Sequence, residues 1–271
     1  MPDLAVLLVL SAVVRLARIA ALGFVSHSKY AVPYFYGINT LAINVKKVKA
    51  ALGSEPMPAN EWDLLFDQKY ASKLKNCGVS VLDSPSEVLP IALHYLGRDP
   101  NSHNDADWQA AAELMKKARP AITRFSSSGY INELANGSIC MALGYGGDLN
   151  IAKRRAEEAK AGQEIKVLAP KDGVMMWMDS MVIPKDAQNV DNAHAFINYI
   201  LRPEVAAANA KAVTFASPNA AARSHIDDKF LKDPSIYPTP AIQAVSFLQL
   251  PVEAKTQRLQ TRLWTEIKTR K

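Results

Sequence analysis

From Tyr30 onward, short runs of β-branched and aromatic residues take turns with stretches whose apolar residues recur every three or four positions. "YAVPYFYGINTLAINV", "GVSVLD", "AITRF", "SICMALGYGGD", "EIKVLAP" and "VMMWMDSMVIP" read as strands. "VKKVKAALG", "SPSEVLPIALHYLG", "DADWQAAAELMKKAR", "SSGYINELANG", "LNIAKRRAEEAKAG" and the stretch around Pro203 read as helices, and the tail "RLQTRLWTEIKTR" is amphipathic. That alternation predicts an α/β architecture. With 271 residues the chain can bury a sizeable core and build two lobes. It has no internal repeat and no low-complexity segment.

Local chemistry sharpens several boundaries. Gly53 is placed to close the first helix. Ser84, Pro85 and Glu87 form a capping-box pattern, and Pro90 predicts a break or kink farther along the same helix. The serines of "SSSG" (126–129) are placed to cap the helix that follows, which Gly137 should stop.

One carboxylate stands out. Asp179 is flanked by Met175, Met176, Trp177 and Met178 on one side and by Met181, Val182 and Ile183 on the other. Such surroundings predict loss of most of its hydration, which is costly unless a partner is present. If the segment is extended, Trp177 and Asp179 share a face.

The N-terminus has a different texture. Leu4 to Val25 is strongly apolar but interrupted by Arg15 and Arg18, with only Asp3 charged before it. Secretory signals carry positive charge ahead of the apolar region, and a spanning helix needs a cleaner run, so the segment fits neither pattern well.

A net charge of +6 admits an anionic partner in principle. The basic residues are scattered, however, and no helix-turn-helix, zinc-finger or RNP-like motif accompanies them, so no nucleic acid is expected. Cys77 and Cys140 lie in unrelated contexts, which leaves two buried thiols or one disulfide open. The five histidines are dispersed without metal-ligand spacing, so no metal is expected. "SSSG" lacks the order of a nucleophile elbow, and "GYGGD" lacks the Lys–Ser/Thr of a phosphate loop, while its Asp148 would repel phosphate.

What remains is a set of acids with aromatic or hydroxyl neighbours: Glu87, Asp148 beside Tyr145, and Asp179 near Trp177, with Ser127 in the serine turn. Carboxylates combined with aromatic faces suit an ammonium ligand, through charge-assisted hydrogen bonds and cation–π attraction. Each residue also has a plain structural reading: Glu87 as a capping acid, Asp148 as a turn residue and Trp177 as core.

From Lys29 to Lys271 the chain resembles the periplasmic polyamine-binding receptors of ABC transporters, the putrescine-binding members above all. The segments that carry the resemblance are "KYAVPYFYG", "LKNCGVSVLDSPSEVLPIALHYLGRDPNS", "SSGYINELANGSICMALGYGGD", "MDSMVIPKDAQNVDNAHAFINYILRPEV" and "PNAAAR". The resemblance implies the periplasmic-binding-protein type II fold, two lobes with a hinge, in which ligand stabilises closure. It implies ligand carboxylates at Glu87, Asp148 and Asp179, a site serine at Ser127 and aromatic contacts at Tyr145, Trp177 and Phe215. Tyr145 replaces the tryptophan usual in the "GW-x-GD" turn, and Phe215 a frequent tyrosine. It further implies a disulfide between Cys77 and Cys140, no cofactor and no enzymatic reaction. The receptor should be a monomer in the periplasm, passing a putrescine-like diamine to ABC permease subunits.

Residues 1–28 resemble nothing in the family, and "GINT" stands where the family has "GTTG". The expectation is therefore a receptor truncated at its N-terminus with lobe one incomplete: 29–43 and 179–222 as partial lobe one, 44–178 and 223–271 as lobe two. Two other readings go with it, a binder of another small cationic solute and a non-binding fragment attached to the membrane by residues 1–28.

Overall fold

The computed structural model describes residues 31–269; the apolar segment read at residues 1–28 lies outside them. By internal contacts the described chain divides into two compact units, one holding the residues up to Gly37 and Trp177–Tyr237, the other Ile38–Met176 and Pro238 onward. The division expected at 43/44, 178/179 and 222/223 is thus displaced at each crossing. Packing explains the displacement. Residues from Asn39 to Asn44 pair with strands of the second unit. Ile226, Phe230 and Tyr237 pack on aromatic residues of the first.

The expected alternation is present. Strand β1 (Val32–Asn44) leads into α1 (Val45–Leu52), which ends at Gly53 with φ 65°, the left-handed value that favours glycine. "WDLLFDQKYASKLKN" forms two helices, α2 (Asp63–Phe66) and α3 (Gln68–Leu74), because Asp67 is extended and caps the second through Lys69 N. Next come β2 (Val79–Val81), α4 (Pro85–Tyr95), α5 (Asp105–Ala118), β3 (Arg124–Phe125), α6 (Tyr130–Ala135), β4 (Met141–Tyr145) and α7 (Gly146–Ala159). Then follow β5 (Ile165–Val167), β6 (Met175–Met181), α8 (Val190–Ile200), α9 (Pro203–Val213), α10 (Asp228–Leu231), α11 (Pro240–Val245), β7 (Phe247–Leu248) and α12 (Ala254–Thr269).

The strands form one mixed sheet in the order β3-β2-β4-β1-β6-β7, with β5 also paired to β1. β2 runs parallel to β3 and β4, β1 antiparallel to β4 and β5, and β6 parallel to β7.

In the second unit the amphipathic pattern closes the core. α5 buries Trp108, Ala111, Ala112, Met115 and Ala118, and α12 packs on α4 and α5 through Leu259, Leu263, Trp264 and Ile267. α12 is also fastened at Asp83, which accepts from Trp264 Nε1 at 2.8 Å and pairs with Lys268 Nζ at 2.7 Å. Pro90 does not break α4. Its ring removes the N–H that the Ser86 carbonyl would accept, and Gln249 Nε2 bonds that carbonyl instead at 2.7 Å.

Cys77 and Cys140 form a disulfide with Cα atoms 5.4 Å apart, joining the start of β2 to the start of β4. Of the two readings left open, the bridge is the one found.

The first unit is built on Phe35, Ala206, Ala207, Ala210, Ala222 and Ile226, with Tyr34, Val213, Phe215, Phe230 and Leu231 around them. Tyr36 bridges Ala216 through a reciprocal pair of backbone hydrogen bonds at 3.0 and 3.2 Å. α8 buries none of its residues, and Phe196 and Tyr199 are exposed.

Candidate functional site

Four of the expected residues, Glu87, Ser127, Tyr145 and Asp148, lie in the second unit, and hydrogen bonds link three of them, Glu87, Tyr145 and Asp148. Asn39 on β1 stands opposite Tyr145 at the end of β4 in the antiparallel register, so their side chains leave the same face of the sheet. Both reach Glu87 in the first turn of α4. Asn39 Nδ2 donates to Oε1 at 3.2 Å, and the Tyr145 hydroxyl donates to Oε2 at 3.0 Å. Asn39, fully buried, also points Nδ2 at Met175 Sδ, 3.9 Å away.

Glu87 is therefore not a capping acid. Ser84 holds the N-cap position of α4, but no side-chain cap bond forms there, and its Oγ lies 3.3 Å from Ser86 Oγ instead. The sheet claims the carboxylate that the local pattern assigned to the helix end.

Asp148 is likewise not a turn residue. α7 starts directly after Tyr145, which puts Gly146 and Gly147 in its first turn and Asp148 with them. An acid there is favoured by the helix dipole. Its Oδ2 accepts from the hydroxyl of Tyr130 at 2.9 Å, and the same hydroxyl accepts from Tyr145 N at 3.1 Å. Burial raises the Asp148 pKa above the usual carboxylate value, and the Tyr130 bond works in the opposite sense.

Gly144 is what lets Tyr130 approach. A Cβ at that position would lie 2.6 Å from Cε2 of the ring. Tyr130 and Asn39 were not among the expected site residues. As apolar-run and strand positions they look like ordinary core, and only pairing across the sheet shows what they hold.

Ser127 is exposed, with its Oγ accepting from Asp83 N at 3.2 Å. Ser126 Oγ accepts from Gly129 N at 2.9 Å, while α6 has no side-chain cap bond at its N-cap, Gly129. Ser126 and Ser127 therefore accept bonds that shape the turn, and α6 lacks the expected side-chain cap.

The first unit holds the other three candidates. Trp177 and Asp179 lie two apart on β6, as the extended reading requires. The Trp177 ring meets Phe215 edge-on at a centroid distance of 5.2 Å, and Phe215 in turn lies 6.4 Å from Phe35. Gly37 leaves room for the indole, since a Cβ there would sit 2.5 Å from Trp177 Cζ2. Asp179 itself is exposed, which corrects the expectation that its apolar neighbours strip its hydration. Partial desolvation still raises its pKa.

Among the described residues no group of three or more His, Cys, Asp or Glu side chains is placed to hold a metal, and no helix is long and apolar enough to cross a membrane.

The chain belongs to the bacterial extracellular solute-binding proteins, whose family model matches residues 6–239. That match takes in most of the apolar segment expected to have no counterpart in the family.

The chain is 46% identical over 244 residues to the putrescine-binding periplasmic protein SpuD of Pseudomonas aeruginosa, covering 90% of this chain and 66% of that protein. It is 43% identical over 245 residues to the putrescine-binding periplasmic protein PotF of Escherichia coli, with the same coverage of 90% and 66%. It thus spans 66% of the length of these curated relatives.

Among solved structures, a spermidine/putrescine ABC transporter protein of Listeria monocytogenes superposes with a TM-score of 0.75 at 30% identity, covering 89% of this chain and 69% of that one. The substrate-binding protein PotD of Streptococcus pneumoniae gives a TM-score of 0.72 at 24% identity, with coverage of 89% and 69%, a likeness of fold. The fold is the type II periplasmic-binding fold.

Proposed function

We propose that this chain binds a linear, putrescine-like diamine as the receptor of an ABC importer. The observation that carries the reading is the placement of two carboxylates about Tyr145. Glu87 bonds the hydroxyl end of its ring. Asp148 is tied through Tyr130 to its backbone end. A diamine lying along such a ring presents its methylenes to an apolar face and an ammonium to an acid at either end.

Asp179, Trp177 and Phe215 are further candidate contacts, as is Ser127. The names of the relatives support the same ligand class. The net charge of +6 does not oppose it, because acids in direct contact with an ammonium act at short range, where distant surface charges are screened. The chain acts by binding and makes or breaks no bond. It works as a monomer in the periplasm, with permease subunits as its partners.

Isothermal titration calorimetry of the full chain against putrescine, cadaverine, spermidine, agmatine and arginine tests the reading. Saturable binding of a diamine, weakened at least tenfold in Asp148→Asn, supports it. Absence of diamine binding, or binding that Glu87→Gln, Asp148→Asn and Asp179→Asn all leave unchanged, overturns it.

A further inference from the structure

We propose that Tyr130 is a positioning residue for ligand binding, its hydroxyl setting both the orientation and the charge of the Asp148 carboxylate; this rests on the function proposed above. Tyr130 has no exposed surface, and its hydroxyl makes two bonds of opposite sense. It accepts from Tyr145 N at 3.1 Å and donates to Asp148 Oδ2 at 2.9 Å. One oxygen thus joins the backbone of the aromatic platform to an acid three residues farther on, across the junction from β4 to α7.

The direction of the second bond is fixed by chemistry. Burial and the neighbouring Asp148 charge both push the phenol far above its ordinary pKa, so the hydroxyl keeps its proton and donates. A neutral donor favours the ionised carboxylate, the form an ammonium ligand needs. With Oδ2 held, Oδ1 is left for the ligand.

The groups facing Asp148 are few. Tyr130 comes from α6 and Tyr145 from the end of β4, and among the described residues burial and the Tyr130 bond, with no charged neighbour, shift Asp148. A cation is therefore not what holds the charge on Asp148 against its burial.

The test is putrescine calorimetry as a function of pH on the full chain, with Tyr130→Phe, Asp148→Asn and the double variant. Phenylalanine keeps the ring and its packing and removes only the two bonds. The expected result is about a tenfold loss of affinity near neutral pH, with the acid-side loss of binding moved to higher pH. The double variant should bind no more weakly than Asp148→Asn alone, because both changes act on one group.

A purely structural role would lower the melting temperature without moving the acid limb, and that result overturns the proposal. So does a double variant that loses both single effects in full.

Should Tyr130→Phe not fold, 13Cζ-tyrosine spectra of the wild-type chain decide. A buried tyrosine signal titrating with the midpoint of the acid limb supports the proposal, and the lack of any such signal overturns it. Failure of the wild-type chain to bind any diamine overturns both this proposal and the function it rests on. Normal binding with an unmoved acid limb in Tyr130→Phe overturns the positioning role alone.

Discussion

The hydroxyl of Tyr145 donates a 3.0 Å hydrogen bond to Oε2 of Glu87, joining the aromatic platform to an acid 58 residues away in sequence. The tryptophan that the resemblance places here carries no hydroxyl, so in this chain ring and carboxylate are fixed to each other in a way particular to tyrosine. Asn39, opposite Tyr145 in the register, holds the other oxygen.

Glu87→Gln removes the charge but keeps an acceptor for one of these donors. Putrescine affinity should fall at least tenfold, the loss of roughly 1.5–3 kcal/mol typical of a hydrogen bond to a charged group. The melting temperature should move little. Tyr145→Phe should reverse the balance: about 1 kcal/mol of stability lost by chemical denaturation, with a smaller drop in affinity. Calorimetry and urea unfolding on both variants separate the two effects.

On the proposed function, Asp148 and Asp179 should set the pH range of binding. Burial raises Asp148, and partial desolvation raises Asp179. An ammonium needs both ionised, so diamine affinity should begin to fall while pH is still above the ordinary aspartate value of about 4. The share of unliganded stability that these two acids contribute should respond in the opposite sense, against that of acids lowered by hydrogen bonds and ion pairs such as Asp83 and Asp107. A carboxyl with a raised folded pKa binds more protons folded than unfolded between the two values. Its contribution therefore weakens as pH rises through that window and recovers as pH falls. Binding followed from pH 4 to pH 7, and melting of the wild type compared with Asp148→Asn and Asp179→Asn over the same range, check both signs.

Two glycines, one in each unit, leave room for an aromatic ring. Gly144→Ala would drive a Cβ to 2.6 Å from the Tyr130 ring, and Gly37→Ala one to 2.5 Å from the Trp177 ring. Each must displace an aromatic side chain and should cost about 1–3 kcal/mol. Gly144→Ala should also disturb Asp148 through Tyr130. Intrinsic tryptophan fluorescence should change in Gly37→Ala, whose displaced ring is Trp177.

The bridge between Cys77 and Cys140 closes a loop with a sequence separation of 63. Reduction, or replacement of both cysteines by alanine, should lower unfolding free energy by about 4 kcal/mol on the chain-entropy account. Denaturation with and without a reducing agent measures it. The double variant should then be insensitive to reductant.

Much of the fold was legible because its causes are local. Apolar periodicity marked α5 and α12, and Gly53 ended α1 where a left-handed residue was needed. Pro90 shows the limit of such reasoning. A break or kink was expected there, but Gln249, far along the chain, bonds the carbonyl that the missing N–H leaves behind, and the helix continues.

The site divides the same way. Residue types were plain from the chain alone: three acids with aromatic or hydroxyl neighbours, two cysteines and an alternating α/β pattern. Which groups those side chains meet depended on three-dimensional packing. Register across β1 and β4 set Asn39 and Tyr145 on one face and so drew Glu87 away from the helix cap. The tight approach of Tyr130 over Gly144 fixed Asp148. Asp179 is exposed despite its apolar neighbours, because hydration depends on what packs against a side chain in space. Periodicity reports which face a residue belongs to; the groups that meet it there come from elsewhere in the chain, and their distances are set by the fold.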